Sequence, residues 1–389
     1  MTRASSSEAT AGVTTAQAMA IAIYEGRKGA GFVAPNPLVG CVLLDKNRNL
    51  LATGYHHRLG GAHAEIDALS KLSSPSLLEG GHVYVTLEPC AHQGRTGSCA
   101  QALLPLRPAS VTFAVEDPNP LVAGKGAAIL RAAGIDCELL SARRDLLAAE
   151  ASSLTADCEE LAEIFLHNFR VREPFVAMKV ASSLDGKMAY ASGESKWITG
   201  EPAREHVHAL RARYDAIAIG RSTFVADNPS LNVRHSAYPG FANRVVLFDP
   251  DGSTLASLGS SNLLAVRDAS SVFVVVDAKA NIAESSGVRI LRVPMHSPDE
   301  FMIDELLASL RAEGITSLML EGGAQTYGAF FRAGRVQRVH VYMAPIIMGG
   351  RSGLSWSSAF GGTAMSERLE LKRVERVSLG RDEYWTARV

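Results

Sequence analysis

Two stretches decide how this chain folds: GGAHAEIDAL at residues 60–69 and TLEPCAHQGRTGSCAQAL at residues 86–103. The first sets His63 at the opening of an expected helix, with Glu65 two residues on. The second ends an apolar strand on Glu88-Pro89-Cys90 and opens another helix near Cys99 after a polar loop. One imidazole and two thiolates are a donor set for catalytic zinc, because three ligands leave a fourth position open for water. Zinc acidifies that water, and a carboxylate one helical step away can take the proton and hand it to a leaving amine. Taken singly, His63, Cys90 and Cys99 read as ordinary core residues. In this order they point to hydrolytic deamination at an amidine-like ring carbon, with Glu65 as proton shuttle. The spacing departs from the C-x-x-C of nucleobase deaminases: eight residues separate Cys90 from Cys99. The inserted AHQGRTGS reads as a loop that could meet a larger substrate.

Outward from this centre, the flanking patterns build an α/β/α layer structure. TTAQAMAIAIYEG, from Thr14, reads as a capped helix, and LVGCVLLD and LLATGY read as a hairpin around DKNRN. Strands over 82–87, 110–115 and 136–140 alternate with helices over 64–71, after Ser98, and over 126–133, which implies that the later strands are parallel. Gly124-Lys125-Gly126 lacks the third glycine of a dinucleotide fingerprint and reads as a turn, and Cys41, Cys137 and Cys158 read as core. Residues 144–168 read as one long helix, so a boundary near Arg172 divides the chain into domains over 12–172 and 173–389.

The second half alternates again: strand FVAMKVA, helix 202–213, strand 216–220, strands RVVLF and SVFVVVD, helix 299–312, strand SLMLE, helix 324–333 and strand VHVYMAP. Asp249 to Ser260 reads as a surface loop. Neither GxGxxG nor GxxxxGK[ST] occurs in this half. Gly220-Arg221-Ser222-Thr223 and Glu321-Gly322-Gly323-Ala324 each follow a strand, where backbone N–H groups can approach a phosphate.

Composition narrows the function. At 389 residues the chain holds about two domains. With 39 basic against 40 acidic residues and no basic run, it is not built to bind nucleic acid. No apolar run is long enough to span a bilayer and the N-terminus lacks a secretory signal, so a cytoplasmic enzyme is expected. Five cysteines, an odd number, argue against a disulfide framework.

Both halves also carry ordered matches to one family. PNPLVGCV (35–42), GYH, HAE, TLEPCAHQGRTGSC, EDPNPLVAGKG (116–126), SSLDGKMAYASGESKWIT (182–199), LRARYDAIAIGRSTFVADNPSLNVR (210–234) and LEGGAQTYGAF (320–330) resemble the bifunctional pyrimidine deaminase/reductases of riboflavin biosynthesis. The resemblance implies a cytidine-deaminase-like α/β/α domain followed by a dihydrofolate-reductase-like α/β domain. It also implies zinc and NADPH as cofactors, a pyrimidine ribosyl phosphate as substrate, and a homo-oligomer. By that resemblance His63, Cys90 and Cys99 hold zinc, Glu65 shuttles the proton, and Asn36, His56, Arg95 and Asn119 line the pyrimidine and ribose-phosphate pocket. In the second half Ala181, Trp197, Thr223, Asp227, Gly323, Ala324, Gln325, Thr326, Tyr327, Gly328 and Ala329 match NADPH positions. Ser195, Arg211, Leu231, Arg234 and Glu321 match substrate positions, with Lys179 at the edge of the site. Forked arginine donors suit a phosphate monoester, and hydride transfer asks the protein mainly to position the nicotinamide. The chain departs from the family in the loop CAHQGRTGSC, where the family usually has Ser before the His and two prolines before the last Cys. Residues 249–262 and 350–362 look divergent and receive no role.

Overall fold

In a computed structural model, the structure describes residues 12–91, 97–120, 122–282, 287–350, 353–362 and 364–389. The chain divides into two compact units, Met1–Arg170 and Val171–Val389.

The first unit begins with helix α1 (Thr15–Arg27), started by a capping box in which the Thr14 hydroxyl accepts from Gln17 N and the Gln17 side chain accepts from Thr14 N. Strands β1 (Gly40–Leu44) and β2 (Leu50–Tyr55) form an antiparallel hairpin. Its turn is fixed by Asp45, whose carboxylate accepts from Asn47 N, Asn49 N and the Asn49 amide while Arg48 takes a positive φ of 67°. Helix α2 (Ala64–Ser70), β3 (His82–Leu87), α3 (Cys99–Leu103), β4 (Ser110–Val115), α4 (Lys125–Ala132), β5 (Asp136–Leu139), α5 (Ala148–Leu161) and α6 (Glu163–Arg170) follow. The sheet order is β2-β1-β3-β4-β5, with β3, β4 and β5 parallel. Every residue of β1 is buried, and alternation divides them between two layers. Cys41 and Leu43 pack with Ala64 and Ala68 of α2, whereas Val42 and Leu44 pack with Ala18, Met19 and Ala22 of α1. Each such side chain contributes about 1.5–3 kcal/mol of burial, so the strand that precedes the metal motif is a rigid floor. Cys41, Cys137 and Cys158 are buried free cysteines.

Residues 144–168 are not one helix. Arg143 pairs with Glu138 and Asp145, the Thr15 hydroxyl donates to Asp145, and this pinned segment stays outside the helix, which begins after Leu147. At Ala162 the backbone (φ −100°, ψ 14°) steps out of helical geometry and separates α5 from α6. The turn expected at Gly124 is present, with Gly124 in the left-handed region, and leads directly into α4 as its N-cap.

The second unit contains β6 (Phe175–Ser183), β7 (Lys187–Ala189), α7 (Glu201–Arg211), β8 (Ala216–Gly220), α8 (Arg221–Asp227), β9 (Arg244–Phe248), α9 (Leu255–Leu258), β10 (Val272–Asp277), β11 (Arg289–Val293), β12 (Met295–Ser297), β13 (Glu300–Phe301), α10 (Ile303–Ala312), β14 (Ser317–Leu320), α11 (Ala324–Arg332), β15 (Arg338–Ala344), β16 (Leu354–Ser355), β17 (Lys372–Leu379) and β18 (Asp382–Arg388). The main sheet runs β11-β10-β9-β8-β14-β6-β15-β18-β17, parallel as far as β15 and antiparallel beyond it. The chain steps outward from β8 to β11 and then returns to insert β14 between β8 and β6. Ligands of such sheets bind beyond the carboxyl ends of the strands where the order reverses. Here those ends carry Gly220, Glu321 and the last residues of β6.

The Asp249–Ser260 stretch is not a surface loop. Asp249 is wholly buried and accepts from Thr254 N and the Thr254 hydroxyl, which starts α9 and sinks Leu258 into the unit. The β17/β18 hairpin leaves little trace in the sequence pattern, because β17 is largely exposed and shows no apolar alternation. Among the described residues no helix is long and apolar enough to cross a membrane.

Candidate functional site

In the first unit, three strand and helix ends deliver the metal donors. His63 is the N-cap of α2 with extended backbone (φ −71°, ψ 164°), and its side chain takes no part in capping. Cys90 follows the end of β3, and Cys99 is the first residue of α3. Ser98 locks the two cysteine segments together: its hydroxyl donates to the Cys90 carbonyl (2.8 Å) and accepts from Gln101 N (3.3 Å). The His63 Nδ1 lies 3.5 Å from Cys90 Sγ and 3.3 Å from Cys99 Sγ, and all three donor atoms fall within 4.8 Å of one another. Tetrahedral zinc, with bonds of about 2.0–2.3 Å, holds its ligands about 3.4–3.8 Å apart, so the residues fit the ion.

The electrostatics favour a metal and a proton carrier. The Cys99 N–H donates to Cys90 Sγ at 3.3 Å. Hydrogen bonding from Cys99 brings the Cys90 thiol down to about 4 and pushes Cys99 up, so the first cysteine carries the charge. Glu65, in the first turn of α2, is almost wholly buried, and that burial raises its carboxyl to about 7. A carboxyl balanced near neutrality is suited to giving and taking protons.

Glu88 and Gly126 hold this centre from below. The buried Glu88 carboxylate accepts from the backbone of Gly124 (3.0 Å), Ala127 (3.3 Å) and Asp117 (3.4 Å), tying the end of β3 to the turn after β4 and the start of α4. A β-carbon at Gly126 would stand 1.7 Å from the Pro89 carbonyl oxygen, so only glycine lets α4 approach the residue before Cys90.

His56 and Asn36 sit beside the donors. The Asn36 amide lies 3.2 Å from His56 Nε2, His56 Nδ1 is 2.8 Å from the Ala62 carbonyl, and the His56 ring meets His63 edge-on at 5.5 Å. Burial lowers the His56 pKa, and the neutral ring therefore donates from Nδ1 to Ala62 and accepts from Asn36. Asn119 belongs to the turn after β4, where its N–H donates to Asp117 Oδ1 at 2.9 Å. Arg95 lies outside the described residues.

In the second unit a buried ion cluster crosses the carboxyl ends of β14 and β6. Glu321 receives a two-pronged contact from Arg211, Nε to Oε1 at 2.5 Å and Nη2 to Oε2 at 2.9 Å, with Lys179 Nζ 3.7 Å from Oε2. Burial would raise this carboxyl, but Arg211 and Lys179 hold it down to about 2. The remaining contact of Arg211 runs from Nη1 to the Asn232 carbonyl (3.0 Å), and Arg234 reaches the Asn232 side-chain oxygen. Asn232 thus joins the two arginines, a role its place in a polar loop did not signal. Leu231, beside it, is buried with a positive φ of 47°.

The two strand-to-helix turns approach each other closely at their glycines. Gly322 (φ 154°) and Gly323 (φ 56°) open α11. A β-carbon on Gly322 would come within 3.0 Å of Thr223 Oγ1, and one on Gly220 within 3.1 Å of Thr326 Oγ1. Bare backbone at a helix start flanked by two hydroxyls fits a pyrophosphate. Ala324, Gln325 and Thr326 form the first turn of α11, while Tyr327, Gly328 and Ala329 are buried. Tyr327 donates its hydroxyl to the Lys179 carbonyl at 2.7 Å. Ala181 is partly buried on β6, opposite Tyr342. Asp227 ends α8, Ser195 is half-buried, and Trp197 is exposed with the Arg204 guanidinium 4.6 Å over its ring.

Together the two units make a zinc-dependent deaminase joined in one chain to a dihydrofolate-reductase-like, NADPH-using reductase. Residues 13–115 match the family described as the cytidine and deoxycytidylate deaminase zinc-binding region, and residues 174–381 match the RibD C-terminal domain. The riboflavin biosynthesis protein RibD of Bacillus amyloliquefaciens is 37% identical over 371 residues, 95% of each chain. That of Escherichia coli strain K12 is 34% identical over 354 residues, 85% of this chain and 88% of its own. Among solved structures, Acinetobacter baumannii RibD (form 1) superposes with a TM-score of 0.76 at 33% identity, covering 96% of this chain and 98% of its own. The deaminase/reductase of Thermotoga maritima gives 0.77 at 28% identity with the same coverages. The chain belongs to the RibD family, the bifunctional deaminase/reductases of riboflavin biosynthesis.

Proposed function

We propose that the first unit removes the C2 amino group of 2,5-diamino-6-ribosylamino-4(3H)-pyrimidinone 5′-phosphate, and that the second reduces the ribosyl chain of the product to ribityl with NADPH. The observation that carries this reading is the convergence of His63, Cys90 and Cys99 beside the buried Glu65, in a chain that continues into a reductase of the same family.

His63, Cys90 and Cys99 would hold zinc, which supplies the Lewis acid that acidifies the attacking water. Glu65 takes a proton from that water and delivers it to the departing ammonia. Asn36, His56, Arg95 and Asn119 hold the pyrimidine and its ribose phosphate, with the Asn36–His56 pair bordering the donor set.

In the reductase, Thr223, Asp227 and the start of α11 from Gly323 to Ala329 hold NADPH beside the glycine turns, with Ala181 and Trp197 toward the nicotinamide. Ser195, Leu231, Arg211 and Arg234 hold the ribosyl phosphate, and Glu321 and Lys179 act by orienting Arg211. The ordered family matches over both halves support these assignments. We also propose that the enzyme is a cytoplasmic homo-oligomer, which sedimentation at micromolar concentration would test.

A coupled assay tests the reading. Purified zinc-loaded protein receives the diaminopyrimidinone phosphate, and ammonia release and NADPH oxidation are followed separately. Ammonia should appear first, NADPH oxidation should depend on it, and Glu65→Ala should abolish both while sparing reduction of the deaminated intermediate. Zinc-loaded protein that releases no ammonia would overturn the proposal.

A further inference from the structure

A third arginine lies under the loop that joins Arg211 to Arg234, in the stretch beyond β9 that the family motifs leave without a role. Arg267 makes one hydrogen bond, from Nη2 to the Ser230 carbonyl at 2.5 Å. Its Nε and Nη1 are sealed from solvent and have no hydrogen-bond partner among the described residues. The segment that carries it is docked on the same loop: Asn262 N and Nδ2 donate to Asn228 Oδ1 (2.9 Å) and to the Asn228 carbonyl (2.7 Å), and Leu263 is wholly buried.

Three guanidiniums therefore grip one short loop. Arg267 holds the Ser230 carbonyl, Arg211 the Asn232 carbonyl and Arg234 the Asn232 side chain. Of the three, Arg211 is neutralised by Glu321, and neither Arg234 nor Arg267 forms an ion pair with a carboxylate among the described residues. Burial and the nearby Arg211 lower the Arg267 pKa to about 10. Uncompensated cations gathered at one place cost free energy in the empty protein, and that cost is recovered when an anion arrives.

We infer that Arg267 is a positioning residue for a phosphate monoester, shaping the Ser230–Arg234 loop through Ser230 and adding a positive charge beside a site whose exposed donor is Arg234. The inference rests on the proposed reductase reading, in which the 5′-phosphate of the ribosyl substrate is the natural occupant. The 2′-phosphate of NADPH offers the same chemistry.

Thermal unfolding of the full chain tests it, with ribose 5-phosphate and 2′-AMP as separate probes and ribose as control. Arg267→Met keeps the length of the side chain and removes the charge. In phosphate-free buffer it should melt at or above the wild-type temperature, because a half-buried charge with no carboxylate partner is gone, and its apparent Kd for ribose 5-phosphate should rise by about tenfold. Arg267→Lys should restore part of the affinity. In steady state, Arg267→Met should raise the KM for the phosphorylated substrate with kcat within about twofold, as expected for lost ground-state binding. A dependence on Arg267 seen with 2′-AMP instead would assign the same site to the cofactor. The inference is overturned if Arg267→Met retains wild-type affinity for both probes, or if it only destabilises the protein. It is overturned equally if wild-type protein is stabilised by neither probe. NADPH oxidation by wild-type protein in that case leaves the reductase reading standing, whereas phosphate binding without NADPH oxidation counts against that reading alone.

Discussion

Glu321 shows how a single buried charge ties stability to pH. Its carboxyl is held down from an ordinary value of 4.5 to about 2, so the folded protein binds that proton less readily than the unfolded chain. The stabilisation is therefore complete above about pH 4.5 and lost as the pH falls through about 2; by linkage it is worth on the order of 3 kcal/mol. Urea titrations between pH 2 and 7 should show this acid limb in the second unit. Glu321→Gln should remove the limb and, by leaving Arg211 and Lys179 facing each other unpaired, cost about 3–5 kcal/mol at neutral pH. In the first unit, Gly126→Ala forces a methyl against the Pro89 carbonyl. Overpacking of this kind costs about 1–3 kcal/mol, and because the displaced strand end carries Cys90, zinc content measured after dialysis should fall with it.

At the scale of elements, α3 matters through its first cap. Ser98→Ala removes both the acceptor for Gln101 N and the tie to the Cys90 carbonyl. Loss of the cap should cost about 1 kcal/mol, and loss of the tie should weaken zinc about tenfold in chelator competition, as removal of a ligand-supporting contact does elsewhere. The elements that sequence patterning delivers are those whose partners are apolar and regular: β1 with its two-sided burial, β8 as an unbroken apolar run, and β3 and β14 as mostly apolar, buried strands. What it misses depends on polar contacts made at a distance. Asp249 turns an apparently open loop into an anchored one, the Arg143 and Thr15 contacts shorten a helix, and β17 is a strand only because β18 pairs with it. The site divides the same way. Its metal donors stand in a compact motif, whereas Glu88, Ser98 and Asn232 act largely through backbone groups, and backbone groups leave no residue-specific pattern in a sequence.

For the whole molecule, the donors of the metal centre lie between His63 and Cys99, while the ion cluster and glycine turns of the reductase lie between Lys179 and Ala329. A zinc chelator should therefore abolish ammonia release while leaving NADPH oxidation with chemically supplied deaminated intermediate at its untreated rate. Loss of both signals would show that the metal supports more than the unit that binds it.

The placement of β6 also bears on how the protein is made. In the first unit, β1 finds both its neighbours, β2 and β3, before residue 88 has been added. The first strand of the second unit is flanked by β14 and β15, so it waits for Ser317–Leu320 and Arg338–Ala344 to be synthesised before either edge is paired. Long waits of this kind slow folding and expose unpaired strand edges. On the ribosome, the deaminase can therefore mature early, while the apolar FVAMKVA segment stays open to wrong partners for most of the remaining translation. A chaperone that shields nascent chains should consequently be found on the reductase half, and slowed translation should lower the yield of NADPH-oxidising protein before it touches the deaminase.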